Sequence, residues 1–291
     1  MKIDTLILSG GGSFGICYNG VYQYLIEYNI LQEDFSNIKT IVASSAGALF
    51  VIPFLLNYSF LEYKDIILSN KFDGTKLINN NDFSIDSLLQ HNGFFSNDYI
   101  QEFIEYLLEK KGYPKSLTLQ QLFNMKPIRF CVRVFNITKN KEVIMDHETN
   151  PDIPITTLIK MTSCIPIIFK AIEYNKELYI DGCVQGEYTE ILSPFFKDDY
   201  LFIHLLVERE NEHSIDNFCN YTKTILNMCF TKLSNLVSYE KNERNISLPI
   251  KSIVDCFNFI LPLETKIHLY RQAYNLIGDH FSKISQTHKD S

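Results

Sequence analysis

Three short stretches of this chain carry residue types that could perform covalent chemistry. The first is Lys39-Thr40-Ile41-Val42-Ala43-Ser44-Ser45-Ala46-Gly47-Ala48-Leu49-Phe50. Its β-branched run, Thr40-Ile41-Val42, predicts a buried strand, and the apolar segment Ala46 to Leu56 predicts the start of a helix. Only small residues lie between them: Ala43, Ser44, Ser45, Ala46 and Gly47. A strand that turns at once into a helix leaves its turn residue strained and exposed, and the residues two positions away must be small. Ser45 occupies that apex, flanked by Ala43 and Gly47, so the stretch has the pattern of a nucleophile elbow with alanine in place of the first glycine. The plainer reading is a strand-to-helix turn with a serine N-cap.

The second stretch is Leu6-Ile7-Leu8-Ser9-Gly10-Gly11-Gly12-Ser13-Phe14-Gly15. Glycines 10, 12 and 15 satisfy G-x-G-x-x-G between an expected strand and an expected helix, which is also the spacing of a dinucleotide-binding turn. That fold needs an acidic residue about 20 positions on to hold the ribose. Glu33 and Asp34 lie near that distance, but in a polar turn ahead of the second strand. The other use of such a loop is an oxyanion hole, where N–H groups free of side-chain bulk point at a developing alkoxide.

The third stretch is Leu178-Tyr179-Ile180-Asp181-Gly182-Cys183. A carboxylate at the end of an apolar strand is costly to bury without hydrogen bonds. A serine nucleophile, in turn, requires an adjacent base. Asp-Gly is also a common strand-end turn, so this stretch gains weight only beside the other two.

Together, and in this order, the three stretches resemble the patatin-like phospholipases. That family combines a G-G-G-x-[R/K]-G loop, a G-x-S-x-G elbow and a D-G-[G/A] base motif, with a Ser–Asp dyad in place of a triad. The likeness runs over about residues 3–192. It includes Phe135-Asn136-Ile137-Thr138, Val143 to His147, and Met161-Thr162-Ser163-Cys164-Ile165-Pro166. It implies Ser45 as nucleophile and Asp181 as its base. It also implies an oxyanion hole drawn from Gly10, Gly11, Gly12, Gly15 and Ala46, with Ala43, Gly47, Gly182 and Cys183 as the small residues of the elbow and base motifs. Phe14 departs from the basic residue of the loop, Ala43 from the first elbow glycine, and Cys183 from the last Gly or Ala. The implied activity is hydrolysis of fatty-acyl esters by a phospholipase A-type or related lipase, with no metal or organic cofactor. A dinucleotide-binding protein, or a catalytically weak lipid-binding relative, are the alternatives.

These groups need a scaffold. The order strand, glycine turn, helix (Ile16 to Asn29), strand, elbow, helix opens a parallel sheet with right-handed crossovers. Pro53 should kink or end the post-elbow helix. Further on, we expect helices near 59–69, over 97–111 after Ser96, over 118–124 behind a Thr118/Gln121 capping box, and from Asp152 to about Thr162. Strands are expected over 128–136, 142–145, 167–173, 178–180 and 201–207, with turns at 138–140 and 175–176. Everything beyond about residue 210 looks helical, in stretches near 215–238 and 265–283. The expected class is therefore α/β: a mostly parallel sheet sandwiched by helices, with residues 1–210 as catalytic domain and 211–291 as a helical extension packed on it. The apolar 46–70 segment is the candidate to receive an acyl chain.

Composition agrees with a globular protein of 291 residues, 46% hydrophobic and 21% charged. A net charge of -7 argues against non-specific nucleic-acid binding. Seven scattered cysteines with no C-x-x-C pair suggest reduced core residues in an intracellular protein. No run approaches the ~20 apolar residues of a membrane span, and the N-terminal run is too short for a signal peptide. A soluble or membrane-peripheral protein acting on lipid is expected, with the oligomeric state open. His204 sits in an apolar strand and is expected to be a packed core residue. No other histidine lies in a triad or metal motif. Tyr270, Tyr274, Ile277 and Phe281, and likewise Ile225, Met228 and Cys229, recur at helical spacing and are expected to form core-packing faces.

Overall fold

The computed structural model describes residues 1–69, 85–186, 190–197, 199–209, 242–252 and 259–287, with scattered positions between 218 and 232. A parallel core runs in the order β10 (Asn245–Ser252), β9 (Tyr200–Arg209), β1 (Thr5–Leu8), β2 (Thr40–Ala43) and β4 (Arg129–Asn136). Beyond it, β5 (Lys141–Met145) and β8 (Glu177–Asp181) both pair antiparallel with β4, and β7 (Ile172–Tyr174) pairs with β8. A separate parallel pair joins β3 (Gly93–Phe95) and β6 (Ile167–Phe169).

Burial of both sheet faces explains why these strands are apolar almost throughout. Leu6, Leu8, Ile41, Ala43, Phe130, Val132 and Val134 belong to the large core. Ile7, Val42 and Cys131, one residue out of phase, form a smaller cluster with Leu192 and Phe202 on the opposite face. Helices α1 (Cys17–Glu27), α2 (Ala46–Leu55), α3 (Phe60–Leu68), α5 (Asp98–Lys110) and α7 (Ile155–Thr162) supply buried faces. The shorter α4 (Ile85–His91) and α6 (Leu119–Met125) complete the described helices before residue 210. The expected capping box at Thr118/Gln121 is present, and Pro53 lies in the last turn of α2. The long helix Leu263–Thr287 packs on α1, with the Tyr24 ring against Tyr274 and Phe281. Ile277 there is fully buried, as its spacing predicts.

The pairing around β4 decides the position of the site. Val132 pairs with Ala43 of β2 and with Met145 of β5, while Val134 pairs with Asp181 of β8 and Val143 of β5. A strand has two edges, so with β5 on one, β2 and β8 must share the other, end to end. β8 therefore takes up the edge of β4 where β2 leaves it for the elbow.

Three expectations fail. The region beyond 210 is not wholly helical: β10 adds an edge strand whose Ile246, Leu248 and Ile250 alternate inward. Pro249 obscured that alternation, yet proline is tolerated on an edge. The single strand expected over 167–173 is two, because the chain leaves one sheet for the other at Lys170, whose N–H bonds the Phe95 carbonyl at 2.9 Å. Ile225, Met228 and Cys229 are exposed, not core, since it is the neighbouring Leu226 that packs inward. Of the remaining cysteines, 17, 131, 164 and 183 are buried and in no disulfide, and 219 and 256 lie outside the described residues.

Candidate active site

Ser45 follows β2 with φ 47° and ψ −122°, a backbone conformation that glycine adopts easily and other residues rarely do. Two features hold it there. The Ser45 N–H donates to Thr162 Oγ1 at 2.8 Å, and the Thr162 hydroxyl donates to the Arg133 carbonyl at 2.7 Å. Gly47 sits so close to β1 that a Cβ would stand 2.6 Å from the Ser9 carbonyl oxygen and 2.8 Å from Leu8 Cβ. The elbow thus needs its small residues for contact with the adjacent strand, the reason the sequence pattern demands them.

The glycine turn continues into a 3₁₀ turn, Gly12–Ile16, in which the Phe14 N–H donates to the Gly11 carbonyl at 3.0 Å. At Gly15 a Cβ would meet the Phe50 ring at 2.6 Å and Ala46 Cβ at 2.8 Å, so this turn lies directly on the first turns of α2. Phe14 is fully buried and brings no charge to the loop. The Ala46 N–H opens α2, where no preceding turn supplies a carbonyl.

Asp181 closes β8 and is 2% exposed. Its N–H donates to the Cys164 carbonyl at 2.9 Å, and its carboxylate accepts the Cys183 N–H at 2.9 Å. Gly182 and Cys183 open the 3₁₀ turn Gly182–Gln185 that follows. Because Ala43 and Asp181 face β4 residues only two positions apart, their backbones lie about 7 Å apart along the strand direction. Ser45 and Asp181, 136 positions apart in the sequence, thus belong to one corner of the sheet.

A cleft of about 600 Å³, open to solvent, lies over that corner. Gly12, Ser13, Ser45 and Ala46 line it together with Leu49 and Phe50 of the apolar segment after the elbow. Ile16, Ile100, Ile165, Phe169, Phe259 and Leu261 extend the apolar wall. Lys266 is the one charged side chain among the described residues that line it. Gly10, Gly11, Gly15 and Asp181 are not among the residues that line it.

Rival groups are committed elsewhere. The Ser9 hydroxyl donates to the Gly10 carbonyl at 2.8 Å and accepts the Leu205 N–H at 2.9 Å. Burial, and then the nearby Asp181 carboxylate, push the Cys164 thiol up, so it is held as the inert thiol. His204 is buried in β9 and stacks on Phe202 at 5.9 Å, and His147 stacks on Phe123. Glu33 accepts the Phe60 N–H at 3.0 Å and Asp34 the Ser36 N–H at 2.9 Å; the acids a dinucleotide fold would place at the ribose are loop and helix caps here.

Three residues escaped the motif-based reading. Thr162 and Ser163 lie in the stretch that carries the resemblance, but nothing in that stretch says what their hydroxyls bind. Arg133 pairs with Glu142 and the Gly186 carbonyl, pinning the turn after Asp181. Its signal, a single charge inside Phe130-Cys131-Val132-Arg133-Val134-Phe135, was available.

Comparison with known proteins decides the family. The family model for patatin-like phospholipases matches residues 6–186, more than half of the chain and the whole span from β1 to the turn after Asp181. The chain belongs to the patatin-like phospholipase family. It is 33% identical over 184 residues to "Probable lipid hydrolase 463L" of Invertebrate iridescent virus 6, a match covering 63% of this chain and 61% of that protein. The match therefore spans less than two thirds of that relative. It is 25% identical to "Uncharacterized protein R571" of Acanthamoeba polyphaga mimivirus over 97% of this chain and 95% of that one. Among solved structures, VipD from Legionella pneumophila superposes with a TM-score of 0.65 at 15% identity, covering 97% of this chain and 67% of its own. The type III effector ExoU superposes at 0.52 with 16% identity, covering 97% and 53% respectively. At such identities these two establish the patatin-like fold. Within this family pattern Phe14, Ala43 and Cys183 occupy a core, a strand-end and a turn position, and each is buried.

Proposed function

We propose that the protein is a lipid acyl hydrolase, a carboxylic ester hydrolase of phospholipase A or related lipase type, working through Ser45 and Asp181. The observation that carries this reading is the corner of the sheet where Ser45 turns out of β2 into an apolar cleft and Asp181 takes over the vacated edge of β4. Ser45 Oγ attacks the ester carbonyl and Asp181 accepts its proton. N–H groups of the Gly10–Gly12 turn and of Ala46 hold the oxyanion. The Ser45 N–H is excluded from that task because Thr162 already takes it. The alcohol leaves with the proton that Asp181 took. Water, deprotonated in turn by Asp181, attacks the acyl carbonyl, releasing the acid and returning the proton to Ser45 Oγ. A carboxyl with an ordinary pKa of about 3.9 is a weak base. The dyad therefore leans on oxyanion stabilisation, where a single donor is worth roughly 10²–10³ in rate.

Leu49, Phe50, Ile100 and Phe169 suit the acyl chain. Contact with a lipid surface is supported by Phe218, Tyr221, Ile225 and Met228, each at least 41% exposed. Among the described residues no helix is long and apolar enough to cross a membrane. We take residues 1–210 as the unit carrying the catalytic groups and 211–291 as an extension on it, a division consistent with β10 extending the sheet edge beside β9. The test is labelling by a fluorophosphonate, which reacts with an activated serine hydroxyl. Wild type should label and hydrolyse acyl esters, while Ser45→Ala and Asp181→Asn should do neither yet remain folded. Full activity in Ser45→Ala would overturn the assignment.

A further inference from the structure

Two buried hydroxyls along the cleft have no hydrogen-bond partner among the described residues. Ser13 Oγ and Ser163 Oγ are buried, and neither makes a hydrogen bond, although both residues line the same cleft as Ser45. Nearby hydroxyls behave differently: Ser9 makes two bonds with main-chain groups and Thr162 another two. Leaving a buried hydroxyl unpaired is costly, so native proteins seldom keep one without a use. Here there are two. They come from unrelated segments, the 3₁₀ turn after the glycines and the end of α7.

We infer that Ser13 and Ser163 form a polar subsite for the glycerol side of the substrate lipid. This rests on the hydrolase reading above and adds to it what the cleft recognises beyond an acyl chain. The chemistry of the match is direct. Ester carbonyl and phosphodiester oxygens only accept hydrogen bonds, and a serine hydroxyl is a donor that rotates to suit its partner. Apart from Ser45 and Lys266, whose ammonium donates to the Ile67 carbonyl at 3.2 Å, the other described side chains that line the cleft are apolar. A simple alkyl ester would satisfy the apolar wall and leave both hydroxyls unpaired. A glycerolipid, with a second ester or a phosphodiester next to the scissile bond, would satisfy them. A pocket built to bond a polar group discriminates against the analogue lacking it.

The test compares wild type with Ser13→Ala, Ser163→Ala and the double variant on three substrates. These are ethyl oleate, with neither group; trioleoylglycerol, with neighbouring esters only; and dioleoylphosphatidylcholine, with both. Each single variant should lower kcat/KM for the glycerolipids relative to ethyl oleate by about 3–10-fold, and the double variant by more. Loss on phosphatidylcholine but not on trioleoylglycerol assigns the subsite to the phosphodiester, and equal loss on both assigns it to the neighbouring ester. Tm should stay level or rise, because no bond within the protein is removed. A ratio unchanged within twofold, or a fall in Tm of several degrees, would overturn the inference. A second readout separates it from the hydrolase reading: binding of dihexanoylphosphatidylcholine and ethyl hexanoate to the Ser45→Ala protein. Adding Ser13→Ala and Ser163→Ala should weaken the phospholipid about tenfold more than the alkyl ester, whether or not Ser45 is a nucleophile, and equal weakening would overturn it.

Discussion

Thr162 stands between Ser45 and Arg133, accepting the N–H of the first at 2.8 Å and donating to the carbonyl of the second at 2.7 Å. Arg133 lies between Val132, where β2 stops pairing, and Val134, where β8 begins. The hydroxyl thus fills a gap in the ladder at the point where the edge of β4 passes from β2 to β8. Thr162→Val keeps the shape but leaves two buried main-chain groups unpaired, each worth roughly 1–3 kcal/mol. Stability should fall by an amount in that range, and kcat by roughly 10–100-fold at near-constant KM, because the elbow loses its anchor. Thr162→Ser should restore kcat. Urea denaturation together with steady-state kinetics of the three proteins checks this.

The positive φ of Ser45 yields a second expectation. Alanine at this position keeps the backbone strain, whereas glycine relieves it, a difference of about 1–3 kcal/mol. Both variants should be inactive, but Ser45→Gly should melt above Ser45→Ala. Calorimetry of the pair decides it, and identical Tm values would argue against a strained elbow.

Gly47→Ala should damage the fold more than a typical surface change. Its new methyl group would stand 2.6 Å from the Ser9 carbonyl oxygen, a main-chain atom just after β1 that cannot swing away. A loss of at least about 1–3 kcal/mol is expected from the overpacking. Activity should fall as well, since α2 would be pushed off the glycine turn. Chemical denaturation and ester hydrolysis measure the two effects.

Asp146 provides a pH signature of its own. Burial acts to raise its carboxyl. The Thr149 N–H at 2.9 Å and the Arg129 guanidinium, whose Nε donates at 2.8 Å, outweigh that and hold it below the ordinary carboxylate value. A depressed pKa contributes stability above the unfolded value, about 3.9, that is lost as pH falls through the folded one. The urea midpoint of wild type should therefore drop on acidification below about pH 4. Asp146→Asn should be less stable at neutral pH and show a shallower drop.

Much of this protein was written locally. Thr40-Ile41-Val42 ahead of five small residues determined the strand, the elbow and the identity of Ser45 at its apex, because sterics at a tight turn act over two neighbours. Thr118 and Gln121 likewise announced their helix start, since a capping box is closed within four residues. What the sequence could not decide were relations between distant segments. β10 was hidden because an edge strand declares itself through its partner β9, not through its own polar, proline-bearing run. The face that Ile225 and Met228 present was undecidable, since periodicity gives a stripe but not the direction in which the helix is rolled. The neighbouring places of Ser45 and Asp181 along β4 and the Thr162 bridge arise from β8 taking over an edge that β2 abandons. That register is fixed by strand pairing across more than a hundred residues, and only the folded sheet supplies it.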